Sequence, residues 1–252
     1  MDGKGRFRYM RTLCVFFMLI FAGSLFLSEL GEKSIASLKG GSQTAVKEEK
    51  EAGYVIVLDA GHGGEDGGAV GVSGVLEKDL NLAIAFCMKE MLEEKGYTVV
   101  MTRTEDKLLY TSEQNIKGQR KMYDLRNRLE IASAQQHAIL VSIHMNRFGQ
   151  SVYRGLQVYY GTQAEESRLL ATRIQSRVKE DLQPENKRPV KAAGSSIYLL
   201  HRAEMPAILI ECGFLSNPDE CEKLSQKEYQ KQLSFSIVCA MIEYMEEHEV
   251  TP

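Results

Sequence analysis

Residues 54–71 read YVIVLDAGHGGEDGGAVG, an apolar run followed directly by a glycine-rich stretch. The run over 54–58 is short, rich in β-branched side chains and ended by glycines, which is typical of a buried strand. A helix is predicted next, over 79–95, because apolar side chains recur there on one face and Gly96 provides a natural stop. This strand, loop and helix indicate the first unit of an α/β domain.

The rest of the chain repeats this alternation. Further strands are predicted at 98–102, 138–143, 156–160 and 207–211, and further helices at 123–135, 164–182 and 227–246. Strands alternating with helices predict an α/β fold, here a single domain with a mostly parallel twisted sheet flanked by helices on both faces. In such a sheet, ligands bind beyond the carboxyl ends of the strands.

The N-terminus predicts export. Basic residues between Lys4 and Arg11 precede an uncharged apolar run over 13–27, which is the order of a signal sequence. The run is shorter than the ~20 residues that cross a bilayer, and no clean cleavage site follows it, so residues 1–28 are a signal peptide or a signal anchor. A polar linker is predicted at 29–53 and the catalytic domain at 54–252. Membrane contact is expected only through the N-terminal segment.

Composition excludes some functions. The net charge is −3 and basic residues are scattered among nearly as many acids, so no nucleic acid partner is expected. The five cysteines form no CxxC pair, which argues against a structural zinc knuckle or a disulfide framework. The glycine-rich loop lacks the GxxxxGK[ST] pattern of a phosphate-binding loop.

Four side chains suggest a metal site. His62 follows the first predicted strand, His144 and Glu211 end later strands, and Glu77 closes the glycine-rich loop at the entrance to the first helix. Two imidazoles and one carboxylate with an open position are the ligand set of a catalytic zinc, so His62, Glu77 and His144 are predicted to bind one Zn²⁺ ion. Glu211 is then the candidate for moving the proton of the attacking water.

Each of these residues also has an ordinary interpretation. His62 could be a surface turn residue, His144 could simply end a strand, Glu77 could be a first-turn acid favoured by the helix dipole, and Glu211 could pair with an arginine. Their convergence on one sheet edge is what favours a metal site.

Neighbouring residues have predicted supporting roles. Arg103 follows the second strand on the same edge and is predicted to bind a substrate carboxylate. Asn146 is a second candidate for substrate binding. Asp59, Asp79 and Asn146 are also candidates to orient the imidazoles. Cys212 is excluded as a nucleophile because strand neighbours point to opposite faces.

Several blocks together resemble a known family. The segments DAGHGGEDGGAVG, EKDLNLAIA, the Thr-Arg pair at 102–103, SIHMN and ILIECGFLSNPDE resemble the zinc-dependent N-acetylmuramoyl-L-alanine amidases of the Amidase_3 type, in order and spacing. The resemblance covers residues 54–252 and implies the same zinc ligands and the same catalytic glutamate. It also implies a peptidoglycan substrate, cut at the amide between N-acetylmuramic acid and the L-alanine of the stem peptide.

A finer resemblance points to one branch. GLQVYYG, SSIYLLHRAEMP and the insertion ending KMYDLRNR are similar to the sporulation- and germination-specific, CwlD-like amidases. This implies action in the spore cortex on the route to muramic-δ-lactam, at the forespore intermembrane space or cortex. The chain has Ala60 where the family often has proline. It also has no wall-binding repeats, so an accessory protein that aids activity or zinc retention is expected.

Two alternatives stay open at this point. One is a zinc peptidase or deacetylase acting on peptidoglycan. The other is a non-catalytic wall-binding protein, whose mark would be the loss of a ligand or of the glutamate, and this chain keeps all four residues.

Overall fold

The computed structural model describes residues 53–248. The predicted signal peptide or anchor at 1–28 and nearly all of the predicted linker at 29–53 lie outside the described residues. Among the helices of residues 53–248, none combines the length and the hydropathy needed to span a bilayer.

Six strands and six helices form the described domain. The strands are β1 (Val55–Ala60), β2 (Thr98–Met101), β3 (Ala138–Asn146), β4 (Gln157–Tyr160), β5 (Lys191–Ala192) and β6 (Ala207–Phe214). The helices are α1 (Glu77–Glu94), α2 (Arg120–Ser133), α3 (Glu166–Leu182), α4 (Tyr198–Arg202), α5 (Pro218–Ser225) and α6 (Lys227–His248).

The strands form one sheet in the order β2-β1-β3-β6-β4-β5. The pairs β1–β2, β1–β3 and β3–β6 are parallel, so the prediction of a mostly parallel sheet is confirmed. Strand β4 runs antiparallel to β6, and β5 runs parallel to β4. We call the edge at which β1, β2, β3 and β6 end the carboxyl edge. The two reversed strands begin at that edge instead of ending there.

Helices cover both faces of the sheet, as predicted. On one face α1, α3, α5 and α6 pack against alternate side chains of the strands, including Ile56, Ile143 and Ile210. On the other face, α2 and α4 form a smaller core around Leu140 and Leu209. Burial on both faces explains why the central strands have nearly continuous apolar sequences.

Three short elements were not predicted. Strand β5 has two residues and helix α4 has five. Both are too short to produce a recognisable alternating or helical pattern of apolar residues in the sequence. Helix α5 does carry a start signal, because the Asn217 side chain accepts a hydrogen bond from the Glu220 amide and Pro218 is the first helical residue. Strand β3 also extends further than predicted, to Asn146, so that His144 lies inside it.

Candidate metal centre

The structure brings the four predicted side chains together at the carboxyl edge. His62 lies in the loop after β1, and Glu77 is the first residue of α1. His144 and Glu211 are direct neighbours on the paired strands β3 and β6. The parallel register of the sheet therefore places His144 beside Glu211. The glycine-rich loop brings His62 and Glu77 to the same edge.

Three of these side chains form a compact group of ligand atoms. Oε1 of Glu77 lies 3.2 Å from Nε2 of His62 and 3.0 Å from Nδ1 of His144. It is the only group of three or more His, Cys, Asp or Glu side chains of this kind within residues 53–248. Ligands of one tetrahedral zinc, with bonds of about 2.0 Å, are separated by about 3.3 Å. The spacing and the donor types therefore fit one zinc ion.

The local backbone explains the glycines of the loop. A Cβ at position 61 would lie 2.3 Å from the His144 ring, and a Cβ at position 68 would lie 2.5 Å from Oε2 of Glu77. Gly68 and His62 both have positive φ, at 66° and 62°. Glycine adopts this region freely, whereas histidine does so only under constraint. The loop is thus shaped to bring His62 back over Glu77, and only glycine fits beside the imidazoles.

The electrostatics of the group favour a cation. Burial opposes a charge on His62, but its hydrogen bonds to Asp66 and Glu77 outweigh burial and raise the imidazole pKa to about 9. Burial also opposes ionisation of Glu77, yet hydrogen bonds from both imidazoles hold the pKa of its carboxyl well below the usual range. The amides of Ala69 and Met145 donate to the same carboxylate and fix it in place. Negative charge fixed in this way attracts a metal ion.

Glu211 has a different environment from Glu77. Its Oε2 is buried and has no hydrogen-bond partner among residues 53–248. Burial raises the pKa of this carboxyl to about 7, with the charge of Glu77 adding to the effect and that of His144 opposing it. A carboxyl that titrates near neutral pH can both accept and release a proton there. The neighbouring Cys212 thiol points into the apolar core, as predicted.

The site opens into a cavity of about 250 Å³. Its lining includes the His62, His144 and Glu211 side chains on one side and Ser196, Ile197 and Tyr198, just before and at the start of α4, on the other. The α4 side of this cavity was missed from the sequence, because α4 is too short to be recognised. Glu211 therefore lines a cavity that a substrate group can enter.

Comparisons with known proteins identify the family of this chain. Residues 56–243 match the Amidase_3 family, described as N-acetylmuramoyl-L-alanine amidase. The chain belongs to the Amidase_3 family. The germination-specific N-acetylmuramoyl-L-alanine amidase of Bacillus subtilis is 36% identical over 196 residues, which span 78% of this chain and 81% of the relative.

Solved structures extend the comparison to the fold. The CwlD amidase of Clostridioides difficile, solved in complex with the GerS lipoprotein, has 40% identity and a TM-score of 0.73, covering 77% of this chain and 98% of that one. The amidase AmiC2 of Nostoc punctiforme has 29% identity and a TM-score of 0.66, with 77% and 97% covered. The protein is therefore an N-acetylmuramoyl-L-alanine amidase whose sequence is similar to the germination-specific, CwlD-like branch.

The residue that orients His62 in this amidase is not one of those predicted. Asp66 accepts from Nδ1 of His62 at 2.9 Å, and it was not a candidate. The predicted partner Asp59 instead binds Thr102, Ser142 and Arg128, and the predicted partner Asp79 is exposed. The sequence did contain a signal, because Asp66 lies four residues after His62 within the glycine-rich loop. An antiparallel bridge between Gly63 and Asp66 closes this part of the loop.

Replacing Asp66 with alanine is expected to weaken zinc binding by about 10- to 100-fold, because His62, a candidate ligand, loses the carboxylate that fixes its ring. Competition with a chromogenic chelator would measure the zinc affinity. Asp79→Ala is the matched control, since it removes a nearby carboxylate that touches neither imidazole, and it should keep the wild-type affinity. Equal affinities of the two variants would rule out the orienting role of Asp66.

Arg103 does not have the role predicted for it. Its guanidinium is 1% exposed and donates to the backbone carbonyls of Ala60, Gly61, Lys78 and Glu105. These contacts leave no face of the guanidinium for a substrate carboxylate, so the prediction is corrected: Arg103 ties the glycine-rich loop to α1 and β1. Asn146 is half-buried at the end of β3, and its substrate role stays a prediction.

Proposed function

We propose that the protein is a zinc-dependent amidase of the spore cortex. It would hydrolyse the amide between N-acetylmuramic acid and the L-alanine of the stem peptide, on the route to muramic-δ-lactam. One observation carries the proposal: three ligand atoms converge within 4.8 Å of one another, beside a buried carboxylate oxygen that has no partner within the described domain.

The residues divide the chemistry between them. His62, Glu77 and His144 would hold the zinc, which when bound supplies a Lewis acid that polarises a carbonyl and lowers the pKa of water to about 7. Glu211 takes a proton from the attacking water as the water oxygen bonds to the lactyl carbonyl carbon. The same carboxyl then gives that proton to the leaving nitrogen as the C–N bond breaks, releasing the amino terminus of L-alanine and a lactyl carboxylate.

Location and partners are part of the proposal. The order of basic residues and apolar run at the N-terminus supports export across, or anchoring to, the cytoplasmic membrane, with action at the forespore intermembrane space or cortex. Similarity to the germination-specific relative supports the spore cortex as the source of substrate. An accessory protein that aids activity or zinc retention is supported by the similar CwlD amidase, which was solved with a lipoprotein.

Mass spectrometry of peptidoglycan fragments tests the function. After incubation with the zinc-loaded whole chain, we expect new peptides with a free L-alanine amino terminus and glycans that keep their acetyl groups. Loss of acetyl groups, or cleavage only within the stem peptide, would instead identify the deacetylase or the peptidase. Absence of any product, with and without a candidate accessory protein, would support the non-catalytic alternative.

A further inference from the structure

Arg188 is a half-buried arginine in the loop before β5, outside the residues assigned so far. Its Nε donates to the Arg154 carbonyl at 2.9 Å, and its Nη1 donates to Oε1 of Gln157 at 3.2 Å. The guanidinium carbon lies 4.3 Å from the centroid of the Phe214 ring and 5.8 Å from that of Tyr153. Stacking and two hydrogen bonds fix the orientation of this side chain, as in arginines that bind planar anions.

This fixed cation has no anion bound to it. Within residues 53–248 its two hydrogen bonds go to neutral oxygens, and it forms no ion pair. The nearby Glu220 interacts with it electrostatically, but the oxygens of Glu220 accept from the amides of Gly155 and Phe214. Nη2 of Arg188 has no hydrogen-bond partner among residues 53–248 and is not fully buried, so a ligand can reach it. An anionic ligand would satisfy the free Nη2 of Arg188.

Arg188 lies at the same edge of the sheet as the catalytic glutamate. Gln157, which holds Arg188, is the direct cross-strand neighbour of Glu211, so the Gln157 and Glu211 side chains are on the same face. Neighbouring strands are about 4.8 Å apart. The Gln157 amide also donates to the Pro189 carbonyl at 2.9 Å, and it thereby fixes the loop that carries Arg188. The guanidinium is therefore held one strand away from Glu211.

A cavity beside Arg188 can hold part of a substrate. It has a volume of about 570 Å³, and Tyr153, Arg154, Asn186 and Arg188 are among its lining residues. Pockets for small ligands have volumes of about 300–1,000 Å³. Gln157, which holds Arg188, pairs with Glu211 across the sheet, so the Arg188 wall of this cavity lies at the same sheet edge as Glu211.

We propose that Arg188 binds a free carboxylate of the stem peptide, on the residue that follows L-alanine, and so selects acidic stem peptides over amidated ones. The inference rests on the proposed function and names the part of the substrate that the cavity takes. Gln157 is the positioning residue that aims the guanidinium. A carboxylate accepts a charge-assisted hydrogen bond from the free Nη2 of Arg188, and a neutral amide group forms only a weaker one.

A pair of matched substrates tests the proposal. Two muramoyl peptides of identical sequence would carry either a carboxylate or a carboxamide on the residue after L-alanine. The zinc-loaded whole chain is expected to favour the carboxylate by about 10- to 100-fold in kcat/KM, mostly through KM. Arg188→Ala should cleave both substrates equally, and Arg188→Lys should keep part of the preference. Arg168→Ala, which changes an exposed arginine on α3, is the control and should keep all of it.

Binding gives a second readout that needs no turnover. Calorimetry on the whole chain carrying Glu211→Gln should show the same preference between the two peptides, and adding Arg188→Ala should abolish it. The inference is overturned if the wild type cleaves and binds both peptides equally, or if Arg188→Ala keeps the preference. If the wild type cleaves neither peptide but Glu211→Gln binds the acidic one through Arg188, the subsite stands and the proposed reaction is wrong.

Discussion

Glu211→Gln is expected to lower kcat by about 10²- to 10⁴-fold, which is the usual contribution of a positioned acid or base. Glutamine keeps the volume of the side chain but cannot accept the proton of the attacking water. Glu211 is not among the three grouped ligand atoms, so the variant should keep its zinc. Rate measurements on purified peptidoglycan would check the loss of turnover, and metal analysis of the same samples would check that zinc is retained.

His62→Ala provides the contrast for this prediction. It removes one of the three proposed ligands and should lose zinc and activity together, whereas Glu211→Gln should lose activity alone. If Glu211→Gln retained wild-type turnover, the proton-transfer role would be wrong. If it lost zinc as His62→Ala does, Glu211 would have to be counted as a ligand.

Arg128→Ala is expected to lower the free energy of unfolding by about 3–5 kcal/mol, the usual cost of removing one partner from a buried ion pair. Arg128 is 1% exposed and pairs with Asp59 at 2.7 Å and with Asp124 at 2.8 Å. Without it, two buried carboxylates lose their cation. The matched control is Arg126→Ala on the same helix, because Arg126 pairs with Glu130 on the surface and should contribute less than about 1 kcal/mol.

Acid denaturation gives an independent check on the same pair. Burial opposes ionisation of Asp59, but the Arg128 charge and hydrogen bonds outweigh it and lower the carboxyl pKa from 3.8 to about 2. A carboxyl whose pKa is lowered by folding stabilises the folded state at any pH above the pKa of the unfolded chain. That stabilisation is lost as the pH falls from about 4 towards 2. Without Arg128, burial raises the pKa of the Asp59 carboxyl towards or above its unfolded value, so the stability that Arg128→Ala loses between about pH 4 and pH 2 should be smaller than in the wild type. Unfolding curves in urea that coincide with those of the wild type at every pH would contradict the prediction.

The grouping of the four candidate side chains could be predicted from the sequence. In a parallel sheet, residues that end neighbouring strands meet at one edge whatever the details of packing. His144 and Glu211 therefore had to lie close together once their strands were placed. His62 and Glu77 could be placed at the same edge, because the glycine-rich loop runs from the end of β1 to the start of α1.

The contacts that neighbouring side chains make with the site could not be predicted from the sequence in the same way. Asp59 is three residues from His62 and Asp66 is four. Asp59 is held by Arg128 and two hydroxyl groups, whereas the loop, with its positive φ at His62, brings Asp66 to the imidazole. Arg103 and Arg188 are both arginines at the carboxyl edge. They differ because carbonyls of the glycine-rich loop surround Arg103, whereas the loop before β5 leaves part of Arg188 without a partner. These distinctions depend on loop conformation, which hydrophobic periodicity does not specify.

The reversed direction of β4 and β5 has a consequence for how such enzymes diversify. Because these strands start at the carboxyl edge, both the segment 147–156 and the segment 183–190 lie at the same edge of the sheet as the candidate metal centre, although neither carries one of its four residues. Insertions or exchanges in these two segments can reshape what the enzyme accepts without altering β3, the glycine-rich loop or the start of α1, which carry the three proposed metal ligands. Grafting both segments between relatives is therefore a practical route to exchanging substrate preference while conserving the chemistry.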